Sequence, residues 1–130
     1  MADPVSDEQA ITTLVASYGA LLDRDRVDEW LELFAPDAQF LVYGRSFDGH
    51  DGLRAMATGA PGGIHMGAIP VIAVDGDRAR TEQSFVFIDS QSHSTRIGWY
   101  DDELVRTDGR WRFQKRQCTF ATADGPSERP

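Results

Sequence analysis

The chain has one cysteine, Cys118, which excludes an internal disulfide and any thiolate-rich metal site. That thiol could act as a nucleophile only with a base beside it. Histidine is nearly as scarce: His50, His65 and His93 are the full set, with no H-x-H, H-x-x-x-H or H-E-x-x-H spacing among them. No metal is therefore expected. Basic residues are outnumbered, 13 Lys and Arg against 21 Asp and Glu, for a net charge of −8. Phosphate recognition needs clustered cations, so nucleic acid is not an expected partner. The densest basic stretch is Arg110, Arg112, Lys115 and Arg116, whose arginines share one strand parity and read as a solvated sheet face. No apolar run approaches the roughly 20 residues of a membrane helix. The segment from Met1 to Glu8 is acidic and lacks a basic-then-apolar leader, so a cytoplasmic location is expected. A glycine-rich phosphate loop and a G-x-S-x-G elbow are both missing, and no cofactor is expected.

What remains is an ordinary globular composition. With 130 residues, 41% of them hydrophobic, the chain reads as one domain, 1–130, able to bury about two thirds of its unfolded surface. Ser6-Asp7-Glu8-Gln9 has the form of a capping box. Behind it, Ile11, Leu14, Val15, Tyr18, Leu21 and Leu22 predict a helix from about Asp7 to Leu22. After a polar break at Arg24-Asp25-Arg26, Val27, Trp30, Leu31, Leu33 and Phe34 predict a shorter helix that Pro36 ends.

Beyond Pro36 the period changes to two. Ala38, Phe40 and Val42 alternate with Gln39, Leu41 and Tyr43 as in a strand. A turn-rich stretch, Gly44 to Gly49, precedes a short helix opened by His50-Asp51, with His50 expected at the surface. Long strands follow: Ile64 to Val74, Arg78 to Ile88, His93 to Arg106 and Arg110 to about Ala121, with hairpin signals at Asp75-Gly76 and Asp108-Gly109. The segment 122–130 is expected to be a flexible tail outside a core of about 7–121. Helices first and strands afterwards give an α+β class: a curved antiparallel sheet packed on the N-terminal helices, leaving a cone-shaped pocket suited to a small molecule.

Asp23, His65 and His93 are the residues best suited to chemistry. Histidine titrates near neutrality, and a carboxylate partner fixes its tautomer and raises its basicity. Each has a plainer reading: Asp23 as a helix-end acid beside Arg24 and Arg26, His65 as a satisfied core histidine, and His93 as a loop residue. Tyr18 lies on the apolar stripe, where it can pack in the core or donate to an oxyanion. Trp99 alternates in phase with His93 and is expected to line the same cavity. Trp30, Phe34 and Trp111 read as core.

Tyr18-Gly19-Ala20-Leu21-Leu22-Asp23 and Trp30-Leu31-Glu32-Leu33-Phe34-Ala35-Pro36-Asp37-Ala38 resemble the opening of nuclear-transport-factor-2-like domains of the polyketide-cyclase (SnoaL-like) branch. Gly98-Trp99-Tyr100-Asp101-Asp102-Glu103-Leu104-Val105-Arg106 and Asp108-Gly109-Arg110-Trp111-Arg112-Phe113 resemble its final hairpin. The resemblance implies the fold strongly and the reaction weakly, because the superfamily holds dehydratases, isomerases, cyclases, dehydrochlorinases, epoxide hydrolases and non-catalytic members. Within it, Asp23 and His65 match the paired aspartate and histidine of scytalone dehydratase and hexachlorocyclohexane dehydrochlorinase. His93 resembles the dehydratase's second histidine, and Tyr43 lies near one of its water-holding tyrosines. Leu22 replaces the other.

The expectation is a cofactor-independent acid–base lyase, dehydratase-like, acting on a small apolar cyclic or aromatic molecule. Asp23, His65 and His93 would be catalytic, and Tyr18, Tyr43 and Trp99 substrate-binding. A ketosteroid-isomerase-like enzyme ranks below it because Val42 stands where that enzyme has its strand carboxylate. A polyketide cyclase or a non-catalytic domain that binds a small ligand would also be compatible with the resemblance. The resemblance further implies a homo-oligomer, dimer or trimer.

Overall fold

The structure, a computed structural model, describes residues 5–130. Met1 to Pro4, on which the leader reading partly rests, lie outside the described residues. Helix α1 runs Asp7–Asp23, and the Ser6 hydroxyl accepts from the Gln9 amide at 3.2 Å as its N-cap. Its inward stripe of Ile11, Leu14, Val15 and Tyr18 is buried. Helix α2 is one short turn, Val27–Leu31, and the chain is already extended by Phe34. The sequence predicts helix up to Phe34, but strand β1 spans Phe34–Val42 with Pro36 inside it. The proline is tolerated because the pairing of β1 with the strand beside it is interrupted between Phe34 and Gln39, where no ladder donor is required.

Tyr43 and Gly44, both at positive φ (58° and 69°), turn β1 back into β2, Arg45–Asp48. The sequence predicts only a loose connection there. Helix α3, Gly49–Gly59, buries Leu53, Met56 and Ala57. His50, expected at the surface, instead points Nε2 at the Phe34 carbonyl at 2.9 Å and ties α3 to β1.

The long strand expected from Ile64 to Val74 is two strands, β3 (Gly63–Gly67) and β4 (Val71–Asp75). Pro70 cannot donate to a ladder, and the break falls at Ala68 to Pro70. Both pieces pair antiparallel with β5, Arg78–Asp89. Strand β6 is Thr95–Thr107, and β7, Arg110–Thr122, follows the Asp108-Gly109 hairpin foreseen from sequence. Where a loose tail is expected, Gly125–Ser127 forms a short strand β8 against β7. The sheet runs β2-β1-β7-β6-β5-β3, with β1–β7 its parallel pair, and the helices pack on its concave face.

Arg116 is not on a solvated face. The β6–β7 register slips by one residue between Glu103 and Leu104, because Phe113 faces Leu104 while Lys115 faces Glu103. This bulge reverses the parity of β7: Trp111 and Phe113 point inward before it, and Arg116, Cys118 and Phe120 after it. Arg116 is fully buried, with Nε 3.0 Å from the Asp102 carboxylate and Nη2 donating to Gln83 Oε1 at 3.1 Å. Its guanidinium carbon lies 3.6 Å from the Tyr100 ring centroid and 4.2 Å from that of Tyr18. Around it, Tyr18, Trp30, Phe34, Phe40 and Phe113 form the core, each side chain contributing about 1.5–3 kcal/mol by burial.

Candidate active site

The candidate site begins where α1 ends. Gly19 and Asp23, one helical turn apart, face β3. A Cβ on Gly19 would lie 2.9 Å from the Cβ of His65, so only glycine lets the helix approach this closely. That approach places Asp23 Oδ1 2.5 Å from His65 Nδ1 and Oδ2 2.9 Å from the backbone amide of His65. The carboxylate thus grips one residue at two points and fixes the imidazole's rotation. An ionised carboxylate can only accept, so Nδ1 carries the proton and Nε2 keeps its lone pair. The Asp23 side chain is 6% exposed and that of His65 17%. Burial lowers the His65 pKa from its ordinary value, Asp23 opposes the shift, and the Arg116 charge adds to it. The shift favours the uncharged imidazole, the form able to take up a proton.

His65 lines a small cavity of about 40 Å³. The other walls are mostly apolar, among them Leu22, Phe40, Val42, Phe85, Phe87 and Phe120. Such a lining suits an apolar compound. Polar groups are few and placed apart. Tyr18 and Tyr100 line the cavity over Arg116, and burial holds both phenols protonated far above their ordinary range. Tyr43 stacks on Phe120 and accepts from Arg96 Nη1 at 3.2 Å. Cys118 also reaches the wall, but burial pushes its thiol up to about 12, which leaves it inert. A second hollow, between α1 and β3–β5, meets this cavity at Tyr18, His65, Phe85 and Tyr100. Among the described residues no group of three or more His, Cys, Asp or Glu side chains could hold a metal ion, and no helix is long and apolar enough to cross a membrane.

Of the residues singled out from sequence, the structure brings Asp23, His65, Tyr18 and Tyr43 together. His93 and Trp99 lie elsewhere. His93 is exposed at φ 58°, and its amide closes the β5–β6 loop on the Asp89 carbonyl at 2.9 Å. Strand β6 starts at Thr95, and its buried positions are the even-numbered ones, which face the cavity side. Trp99 consequently points to the outer face beside exposed Ile97, while Tyr100 and Arg96 occupy the places expected for Trp99 and His93. Gly19, Phe87, Arg96, Tyr100 and Arg116 were not legible as site residues. Tyr100 and Arg96 would follow from strand parity once the length of the loop was fixed.

The SnoaL-like domain profile matches residues 3–117 of the chain. An uncharacterized protein of Mycobacterium tuberculosis H37Rv is 31% identical over 125 residues, spanning 86% of this chain and 84% of that protein. Among solved structures, the chain is similar to a nuclear-transport-factor-2-like protein with a cystatin-like fold from Novosphingobium aromaticivorans, at 23% identity and TM-score 0.81, covering 92% of this chain and 86% of that one. It is also similar to a hexachlorocyclohexane dehydrochlorinase from Novosphingobium barchaimii, at 18% identity and TM-score 0.76, covering 87% and 85%. At these identities the two structures speak for the fold, which agrees with the α+β sheet and helices seen here. The profile match extends from α1 through much of β7 and takes in the Asp23–His65 pair and most of the cavity wall: the chain belongs to the SnoaL-like domain family.

Proposed function

We propose that the protein is a cofactor-independent lyase that removes a proton from carbon and expels a leaving group, water being the first choice, from a small and largely apolar ring compound. The reading rests on one observation: an imidazole oriented by Asp23 in the wall of an aromatic cavity. Asp23 keeps the proton on Nδ1 and stabilises the imidazolium once it forms. Nε2 of His65 takes the proton from a carbon next to a carbonyl or a leaving group. The protonated phenols of Tyr18 and Tyr100 are donors available to a developing oxyanion, and Tyr43 can assist the departing group. Val42, in the cavity wall, supplies no carboxylate, which disfavours a double-bond isomerase. The dehydrochlorinase named among the structural neighbours performs an elimination, which lends the reading support by analogy of fold.

A panel of cyclic β-hydroxyketones, followed by the ultraviolet absorbance of the unsaturated product, tests it. His65→Ala and Asp23→Asn are expected to lower turnover by roughly 10²- to 10⁴-fold with folding intact. His93→Ala, outside the cavity, is expected to stay within about twofold, as most surface changes do. Full activity in both dyad variants would sink the mechanism. We also infer that the protein works as a homo-oligomer paired through the outer face of its sheet, where Ile64, Met66 and Ile97 are exposed.

A further inference from the structure

His65, Phe87 and Arg96 form a row across three strands on the concave face. His65 is the register partner of Phe87 in β3–β5, and Phe87 is that of Arg96 in β5–β6. Two strand spacings separate the ends of such a row by about 10 Å. The Phe87 ring lies between them, its centroid 4.7 Å from the imidazole's and 6.0 Å from the Arg96 guanidinium carbon. A flat ring laid against Phe87 would therefore meet the base at one end and a cation at the other.

Arg96 is half-buried in the cavity wall, yet among the described residues it has no carboxylate partner. Its hydrogen bond goes to the Tyr43 oxygen, leaving four of its five N–H donors without one. Because Tyr43 accepts from Arg96, its own proton is free to donate into the cavity. Asp89, near enough to feel the Arg96 charge, accepts instead from the amides of Gln91 and Ser92 at 2.8 and 3.0 Å. The other guanidinium near the cavity, Arg116, is fully buried and ion-paired with Asp102, with Nη2 on Gln83 and Nη1 without a partner.

A planar guanidinium with a phenol proton beside it presents donors only. A carboxylate, with two oxygens that only accept, complements this set far better than a neutral amide or carbonyl does. We propose that Arg96 and Tyr43 form a carboxylate-binding subsite, so that the substrate is an apolar ring bearing a carboxylate at the end remote from the carbon that His65 deprotonates. The proposal rests on the elimination reading for the role of His65, but the subsite is tested by binding alone.

Isothermal titration calorimetry of the full chain with 2-naphthoate and its neutral isostere 2-naphthamide, near neutral pH, reads the subsite directly. The wild-type protein is expected to bind the carboxylate roughly tenfold or more tightly than the amide, as a charge-assisted contact in an apolar site should. In Arg96→Met the preference is expected to shrink to within about twofold, and in Arg96→Lys to survive in part. Asp23→Asn, which disables the proposed base, is expected to keep the full preference, so subsite and mechanism can fail separately. Equal affinity for the two probes in the wild type, no binding of the carboxylate, or a preference that persists in Arg96→Met would each overturn the proposal.

Discussion

The Asp23 carboxylate gives His65 a defined tautomer, and burial gives it a low proton affinity; the two effects oppose each other on the charge and reinforce each other on the geometry. Burial is the larger, so the imidazole pKa lies below its ordinary 6.5 despite the facing carboxylate, with Arg116 on β7 pushing the same way. Two consequences follow from the sign. Activity that needs neutral His65 is expected to persist as pH falls through 6.5 and to fail only lower, so the acid limb of the kcat/KM profile lies below that value. Stability behaves in parallel: between the folded value and 6.5 the unfolded chain binds a proton that the folded chain refuses, and stability therefore drops as pH falls across that window. Denaturant melts from roughly pH 5 to 7.5 should show this slope, reduced in His65→Ala. An acid limb at or above 6.5 would mean that the carboxylate dominates and that the resting imidazole is charged.

At the scale of elements, the site is a contact between one helix and one strand. Gly19 sets its depth. Replacing it with alanine favours the helix by about 1 kcal/mol on propensity, yet puts a methyl 2.9 Å from the His65 Cβ. The strand must then move, and displacing a reacting group by about 1 Å can cost on the order of 100-fold in rate. Gly19→Ala is expected to lower kcat by at least about tenfold with little change in melting temperature, measured on the substrate found in the elimination screen. A variant with unchanged kcat would show that the dyad tolerates a looser seat. The helix carrying Gly19 and Asp23 was legible because its apolar spacing and cap are local signals. The facing of β6 and β7 was not. One residue of loop between Asp89 and Thr95 decides whether odd or even residues of β6 face the cavity, and one bulged residue near Gln114 turns Arg116 from the surface into the core.

Considered whole, the molecule leaves an apolar band on the outside of its sheet. Met66, Val86 and Ile97 are register partners across β3, β5 and β6, with Ile64 and Ile88 in one adjoining row and Trp99 in the other. Ile64, Met66 and Ile97 are 53%, 54% and 49% exposed. Contiguous apolar surface on a sheet face marks an interaction site more often than it marks chance. A second copy of the chain, carrying the same band, can cover it by a two-fold arrangement. Light scattering after size exclusion at micromolar concentration is expected to give a dimer for the wild type and a monomer for the Met66→Glu, Ile97→Lys double variant. A monomeric wild type would retire this surface as an interface. Trp99, which does not reach the cavity, gains a place here.

The α+β class and the first helix were determined by sequence, because amphipathic period, cap and turn signals act over a few residues, and the resemblance around Asp23 and His65 implied their pairing. Tertiary structure alone decided which side chains complete the site. A strand has period two, so any insertion, bulge or loop of uncertain length exchanges its two faces, and the residues affected were His93, Trp99, Arg96, Tyr100 and Arg116. The charge inside the cavity was hidden for the same reason. An arginine read along the chain is a surface residue by default, and only the pairing of β3, β5 and β6 sets Arg96 in a row with His65 and Phe87.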